Sequence, residues 1–279
     1  MSTASIKRGI VAGIDGSDSA LGAAQWAASI AHLLHEPLYL THIVPDGAVD
    51  ADSDAALTTA ADAVHAARPD VAVERTVGSG RTADALMQRS ESARVLVLGH
   101  TTTTEWESMI TRSDVVHTAN HAPCPVATWR GEPAPAAVDD RPVVVGVDGT
   151  DLSSKAVEHA FEFADLAGAP LVAVHTWKEH STLTYGEASR FSDWSAFREH
   201  RTAMLAENLA GLSEQYPDVE VTYSVERGKP DVVLLEQSAN AQLVVVGSHG
   251  RGALASAVVG STSQGLIHHA KCPVLICRN

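Results

Sequence analysis

Gly247-Ser248-His249-Gly250-Arg251-Gly252 leads, with nine residues between Gly250 and Gly260, to Gly260-Ser261-Thr262. The glycines come directly after Leu243-Val244-Val245-Val246, an apolar run of the kind that fills a fully buried parallel strand. A helix start falls at Gly260-Ser261, and apolar periodicity continues it through Leu266 and Ile267. Glycines let a main chain approach an anion closely, and a helix N-terminus offers unpaired N–H donors with a favourable dipole. The stretch therefore predicts a nucleotide-phosphate site between a strand end and a helix start.

An internal repeat extends the reading to the whole chain. Gly13-Ile14-Asp15-Gly16-Ser17 matches Gly146-Val147-Asp148-Gly149-Thr150, and Thr41-His42 parallels Val174-His175. His121-Ala122-Pro123-Cys124-Pro125-Val126 matches His269-Ala270-Lys271-Cys272-Pro273-Val274. The second copy carries extra residues, roughly Lys178 to Trp194. Two domains follow, 1–130 and 142–279, each of ordinary domain size and joined by the Pro/Ala-rich linker 131–141.

Bulk properties exclude several classes. The 279 residues are 45% hydrophobic, enough for two sizeable cores. A formal charge of −14 argues against sequence-independent binding to nucleic acid or to an anionic membrane. No apolar run reaches the length of a membrane span, and Met1–Arg8 has no signal-peptide apolar core, so a soluble, cytoplasmic protein is expected. Cys124 and Cys272 are repeat-equivalent and Cys277 lies in the closing strand, which predicts core packing rather than disulfides or catalysis.

Within the first copy, strands are expected at Ile10–Ile14, Leu38–Val44, Val71–Val77, Val95–Leu98 and Val126–Trp129. Helices are expected over Ser17–Leu34, Ala56–Ala67, Ala83–Ser90 and around Asp114–His121, and the second copy repeats the series from Val143 to Cys277. Strands alternating with helices imply right-handed crossovers, a mostly parallel sheet and helices on both faces. In such α/β folds ligands sit beyond the carboxyl ends of the strands, where the winding reverses. Asp148 and Gly247 would meet in that crevice.

The glycine spacing of Gly247, Gly250 and Gly260-Ser261, with Asp148 after the first strand, resembles the ATP-binding signature of universal stress proteins. The His-Ala-x-Cys-Pro-Val closures at His121 and His269 are similar to that family's ending. The resemblance covers nearly the whole chain, as a tandem protein. It implies two doubly wound five-stranded domains with strand order 3-2-1-4-5, and ATP held without a P-loop lysine. It also implies association through the last strands, Val126–Trp129 and Val274–Cys277, as a homodimer or between the chain's own domains.

Each residue has an expected role. Gly247 lets the chain leave the strand near the ribose, and Gly250 and Gly252 turn N–H groups toward the phosphates while Arg251 adds charge. Ser261 and Thr262 offer hydroxyls and helix amides to the outer phosphates. Asp148 would accept from ribose or base, or coordinate a Mg²⁺ ion bridging the phosphates. Thr176 and Val246 stand where the family places its adenine contacts. In the first copy the aligned loop reads Gly99-His100-Thr101-Thr102, with Arg112-Ser113 in place of Gly260-Ser261. Gly99, Ser113 and Asp15 remain as weak candidates, but Thr102 resists positive φ, so an impaired first site is expected.

Other features carry plainer readings. Asp50-Ala51-Asp52-Ser53-Asp54 begins like a calcium loop but lacks its glycine and closing glutamate, so a solvated acidic loop is expected. His42 and His175 read as satisfied core histidines, and His268-His269 as cations at a helix C-terminus. The insertion around Tyr185, Phe191 and Trp194 reads as a lid, a partner surface or a plain loop. No P-loop, nucleophile elbow or catalytic Cys/His pair is present. The expected function is an ATP-dependent regulator of stress response or growth, acting on a protein partner, with at most slow hydrolysis. Two rivals stay open: a nucleotide-independent scaffold, and an ATP pyrophosphatase-like enzyme suggested faintly by Asp15-Gly16-Ser17-Asp18-Ser19. Cyclic AMP as ligand is open as well.

Overall fold

The computed structural model describes residues 8–44, 51–100, 110–130, 138–177, 194–248 and 260–278. Gly250, Arg251, Gly252 and the insertion 178–193 lie outside them. The first half runs β1 (Ile10–Ile14), α1 (Asp18–Leu34), β2 (Leu38–Val44), α2 (Ala51–Ala67), β3 (Val73–Ser79), α3 (Thr82–Arg89), β4 (Val95–Gly99), α4 (Arg112–His121) and β5 (Val126–Trp129). The second runs β6 (Val143–Gly146), α5 (Asp151–Ala167), β7 (Leu171–Trp177), α6 (Trp194–Gln215), β8 (Val221–Arg227), α7 (Pro230–Ser238), β9 (Leu243–Gly247), α8 (Ser261–His269) and β10 (Val274–Cys277).

The central strands explain themselves. β1 and β4 are buried along their whole length, as strands covered on both faces must be. Along β9, Leu243 and Val245 face one core layer while Val244 and Val246 face the other, the period-two alternation of a pleated strand. α1 lies close to the sheet because its buried face is built from alanines: Ala20, Ala23, Ala24, Ala27, Ala28 and Ala31. At its start the approach is closest of all. A Cβ on Gly99 would lie 2.2 Å from the Ser19 carbonyl oxygen, so only glycine fits there.

Each half has strand order 3-2-1-4-5, and the halves join into one ten-stranded sheet, β3-β2-β1-β4-β5-β10-β9-β6-β7-β8. Every pairing within a half is parallel, as the crossover reading expects. The seam is the antiparallel pair β5–β10, with Leu275 opposite Ala127. Above it Trp26 of α1 stacks on Phe163 of α5, centroids 6.4 Å apart, with Trp26 only 3% exposed. Arg94 and Glu162 form an ion pair across the same seam. The His159 imidazole, 3.8 Å away, and the Arg94 guanidinium hold the Glu162 carboxyl below its ordinary pKa against partial burial. Both core layers run through the two halves without a break.

One expectation is overturned. The acidic stretch Asp52–Asp54 is not a loop but the first turn of α2, which begins at Ala51. Acidic side chains there complement the helix dipole, and Ser53 is turned inward at 1% exposure. Smaller shifts affect β3, which starts at Val73 rather than Val71, and α4, which starts at Arg112 because Thr111 caps it. No helix among the described residues is long and apolar enough to cross a membrane.

Candidate functional site

Both halves turn from first strand to first helix on matching residues, Asp15-Gly16-Ser17 and Asp148-Gly149-Thr150. Gly16 and Gly149 have φ of 87° and 78°, values that favour glycine. The carboxylate before each glycine then folds over the turn. Asp148 Oδ1 accepts from the Thr150 N–H at 3.0 Å and the Thr150 hydroxyl at 2.7 Å, and Thr150 in turn caps α5 by accepting from the Ser153 N–H. Asp15 Oδ1 accepts from the Ser17 N–H and hydroxyl at 3.0 and 2.6 Å, and Ser17 caps α1. The Asp-Gly-Ser/Thr motif thus fixes an acidic group at the carboxyl end of the first strand.

In the second half, the carboxyl ends of β6, β7 and β9 lie side by side, because β6 pairs with both β7 and β9. Asp148 follows β6, half-buried Thr176 lies near the end of β7, and Gly247 ends β9. The start of α8 is tied to this edge: the Ser263 hydroxyl donates to the Gly247 carbonyl at 2.8 Å, and the Gly260 N–H to the Ser248 carbonyl at 2.8 Å. Gly260 is the N-cap of α8 and supplies no side-chain cap. Ser261 is exposed and Thr262 half-buried at that end. A helix start without a side-chain cap leaves backbone donors for an outside acceptor. Val246 is 4% exposed, with its side chain in the core layer shared with Leu234 and Leu266.

The first half has the same frame and a different helix start. Thr111 caps α4 in a reciprocal box: its hydroxyl oxygen accepts from the Asp114 N–H at 3.2 Å, and Asp114 Oδ2 accepts from the Thr111 N–H at 3.0 Å. The Thr111 hydroxyl also donates to Asp114 Oδ2 at 2.6 Å, so the 2.7 Å contact between the two hydroxyls has Ser113 as its donor. Asp15 Oδ2 accepts from the Ile110 N–H at 3.1 Å. Ile110 is 4% exposed and lines the same hollow as Ile14, Asp15, Ile43 and Leu86. Of the three weak candidates in this half, Gly99 packs on α1, Ser113 bonds into the cap, and Asp15 holds the chain leading into α4.

The T-x-x-D spacing of Thr111 and Asp114 is a capping signal readable in the sequence, beside the Arg112-Ser113 pair that replaces Gly260-Ser261. Ser263 has no such signal. It occupies the position of Val115, a core residue in the first half, and nothing in the sequence marks its tether to Gly247.

The histidines and cysteines behave as structural groups. His42 Nδ1 donates to the Ile14 carbonyl and His175 Nδ1 to the Val147 carbonyl, both at 2.8 Å, which bolts the second strand of each half to the end of the first. All three cysteines are free and buried. Burial pushes the Cys124 thiol up to about 11 and Cys272 up to about 12, and raises Cys277 too, away from reactive thiolate chemistry. No group of three or more His, Cys, Asp or Glu side chains that could hold a metal occurs among the described residues.

Comparison with known proteins agrees with this architecture. Residues 8–130 and 141–278 each match the Universal stress protein family. A universal stress protein of Mycolicibacterium smegmatis is 32% identical, covering 97% of this chain and 97% of its own. Another from Mycobacterium tuberculosis is 33% identical, covering 100% of this chain and 99% of its own. A universal stress protein from Archaeoglobus fulgidus superposes with a TM-score of 0.69 at 17% identity, covering 97% of this chain and 96% of that one, a likeness of fold. With the family matched once in each half and the relatives matched end to end, the chain belongs to the universal stress protein family, as a tandem member.

Proposed function

We propose that the second half binds an adenine nucleotide, ATP in the first instance, and that the protein acts as a nucleotide-dependent regulator. The observation that carries this reading is the start of α8: Gly260 leaves the helix without a side-chain cap, and Ser263 ties that end to the strand edge beside Asp148. The amides and hydroxyls of Ser261 and Thr262 would take the outer phosphates. Gly247, Gly250 and Gly252 would bring main chain close to the ribose and phosphates, and Arg251 would add charge. Thr176 and the main chain of Val246 would meet the adenine. Asp148 would hold the ribose, or share a Mg²⁺ ion with the phosphates. That donor set suits Mg²⁺ arriving with its nucleotide, since Mg²⁺ is commonly held by one or two carboxylates plus substrate phosphates.

Regulation is favoured over fast catalysis because the chemistry-bearing side chains already have structural work. His42 and His175 bond to strand carbonyls, and the cysteines are buried with raised pKa values. Hydrolysis, where it occurs, is slow. ATP would act by binding one conformation better than another and so changing affinity for a regulatory protein partner in the cytoplasm. The two units are 1–130 and 142–279, linked by 131–141, and the β5–β10 pairing does within one chain what the family's closing strands do between chains.

Isothermal titration with ATP and Mg²⁺ tests the reading: about one nucleotide per chain is expected. No uptake at millimolar ATP, with no rise in melting temperature, would favour the nucleotide-independent scaffold.

A further inference from the structure

We propose that the first half carries its own anion: the Asp114 carboxylate, folded over the start of α4, stands where the second half would receive the outer phosphates, and it excludes nucleotide from the first half. The proposal rests on the nucleotide reading of α8 and adds the residue that makes the two halves differ.

The chain entering α4 and its first turn are held by side chains of the same half. Three main-chain N–H groups here end on side chains of the same half: Ile110 on Asp15 Oδ2, Thr111 on Asp114 Oδ2, and Asp114 on the Thr111 hydroxyl oxygen, at 3.1, 3.0 and 3.2 Å. Both hydroxyls are engaged too, Thr111 donating to Asp114 and Ser113 to Thr111. The positive end of the helix dipole is thereby neutralised by a fixed carboxylate, the acidic first turn that helices favour. An incoming phosphate would have to displace that carboxylate and approach its negative charge at close range. Thr262 occupies the Asp114 position in α8 and Gly260 the Arg112 position, so neither can bring a carboxylate to that helix start. The box itself is local: Thr111 and Asp114, which make it, are replaced by Val259 and Thr262 in the second half, on a frame the two halves share.

Loss of the two glycines, replaced by Thr102 and Arg112, is the competing cause, and a substitution series separates it from the effect of Asp114. ATP–Mg²⁺ is titrated into the intact protein, into Thr102→Gly/Arg112→Gly, and into the same double variant with Asp114→Thr. The expected result is one site in the first two proteins and a second site only when Asp114 is removed, tighter than any residual first-half binding by at least about tenfold. A second site appearing with the glycines alone would overturn the proposal. So would its absence from the triple variant while the second-half site and the circular dichroism spectrum are unchanged. Asp114→Asn, which keeps an acceptor for the Thr111 N–H but removes the charge, replaces Asp114→Thr if the latter does not fold.

A nucleotide-free readout keeps this inference distinct from the function it rests on. Millimolar inorganic pyrophosphate should raise the melting temperature of the Asp114 variant more than that of the intact protein. If the intact protein takes up no ATP yet this difference appears, the nucleotide reading falls and the resident-anion assignment stands. Equal responses would overturn the assignment.

Discussion

The starts of α4 and α8 are the same place in two copies of one fold, and they end differently. At α4 a threonine and an aspartate close on each other, and Asp15, in the turn between β1 and α1, holds the chain that leads in. At α8 a glycine stands at the cap and a serine reaches back to the strand edge instead. Much of the frame is shared: the Asp-Gly-Ser/Thr turn, the histidine bolted to the first strand, and the strand order. The difference teaches that one frame can carry a helix start capped by side chains in one copy and a start without a side-chain cap in the other. The first half then contributes β5, α1 and Arg94 to the seam, and the second half keeps its helix start free of side-chain caps.

If the first half is chiefly a structural partner, the seam should be the costliest place to damage. Trp26→Ala removes a side chain that is 3% exposed and stacked on Phe163, and should lower stability by about 3–5 kcal/mol, read by urea unfolding. A loss below about 1 kcal/mol would mean the halves stand independently.

Transplanting the first half's feature sharpens the comparison next. Thr262→Asp puts a carboxylate at the α8 position that matches Asp114, and should weaken ATP binding by about tenfold to a hundredfold, or about 1.4–2.7 kcal/mol. Stability without ligand should hold or rise slightly, since an acid in the first turn suits the dipole. Unchanged affinity would separate the phosphate site from α8.

Ser263→Ala probes the tether alone. Loss of the 2.8 Å bond to Gly247 should cost about 1 kcal/mol, with a similarly small fall in ATP affinity as the helix start loosens. The smallest effect concerns pH at the seam. The Glu162 carboxyl is held below its ordinary value, so the folded state binds its proton less readily than the unfolded chain. Its stabilisation is therefore fully present above the unfolded pKa of about 4.5 and is lost as pH falls through the lower folded value. Thermal melts between pH 7 and 3 should show Glu162→Gln with a shallower acid decline than the intact protein.

Much of this was legible in the sequence. The buried runs Ile10–Ile14 and Leu243–Val246 announce central strands because few non-apolar side chains survive burial on both faces. The repeat supplied the tandem order, and Gly247 and Gly260 mark the strand end and the helix start that bound the candidate site. The first turn of α2 was not legible as helix: aspartates read as loop until the dipole and the inward Ser53 are seen together. The bond from Asp15 to the Ile110 N–H spans 95 residues and leaves no local mark. Ser263 looks like any first-turn serine until the sheet edge is placed beside it. The box at Thr111 is local and readable: the position that loses a glycine, Arg112, lies two residues before the gained carboxylate of Asp114.

Amide hydrogen exchange, with and without ATP–Mg²⁺, reads both helix starts in one experiment. The account predicts new protection at Ser261, Thr262 and Ser263 and no change at Ile110, Thr111 and Asp114. Equal protection at both helix starts, or none at Ser261–Ser263 under saturating ATP, would contradict it.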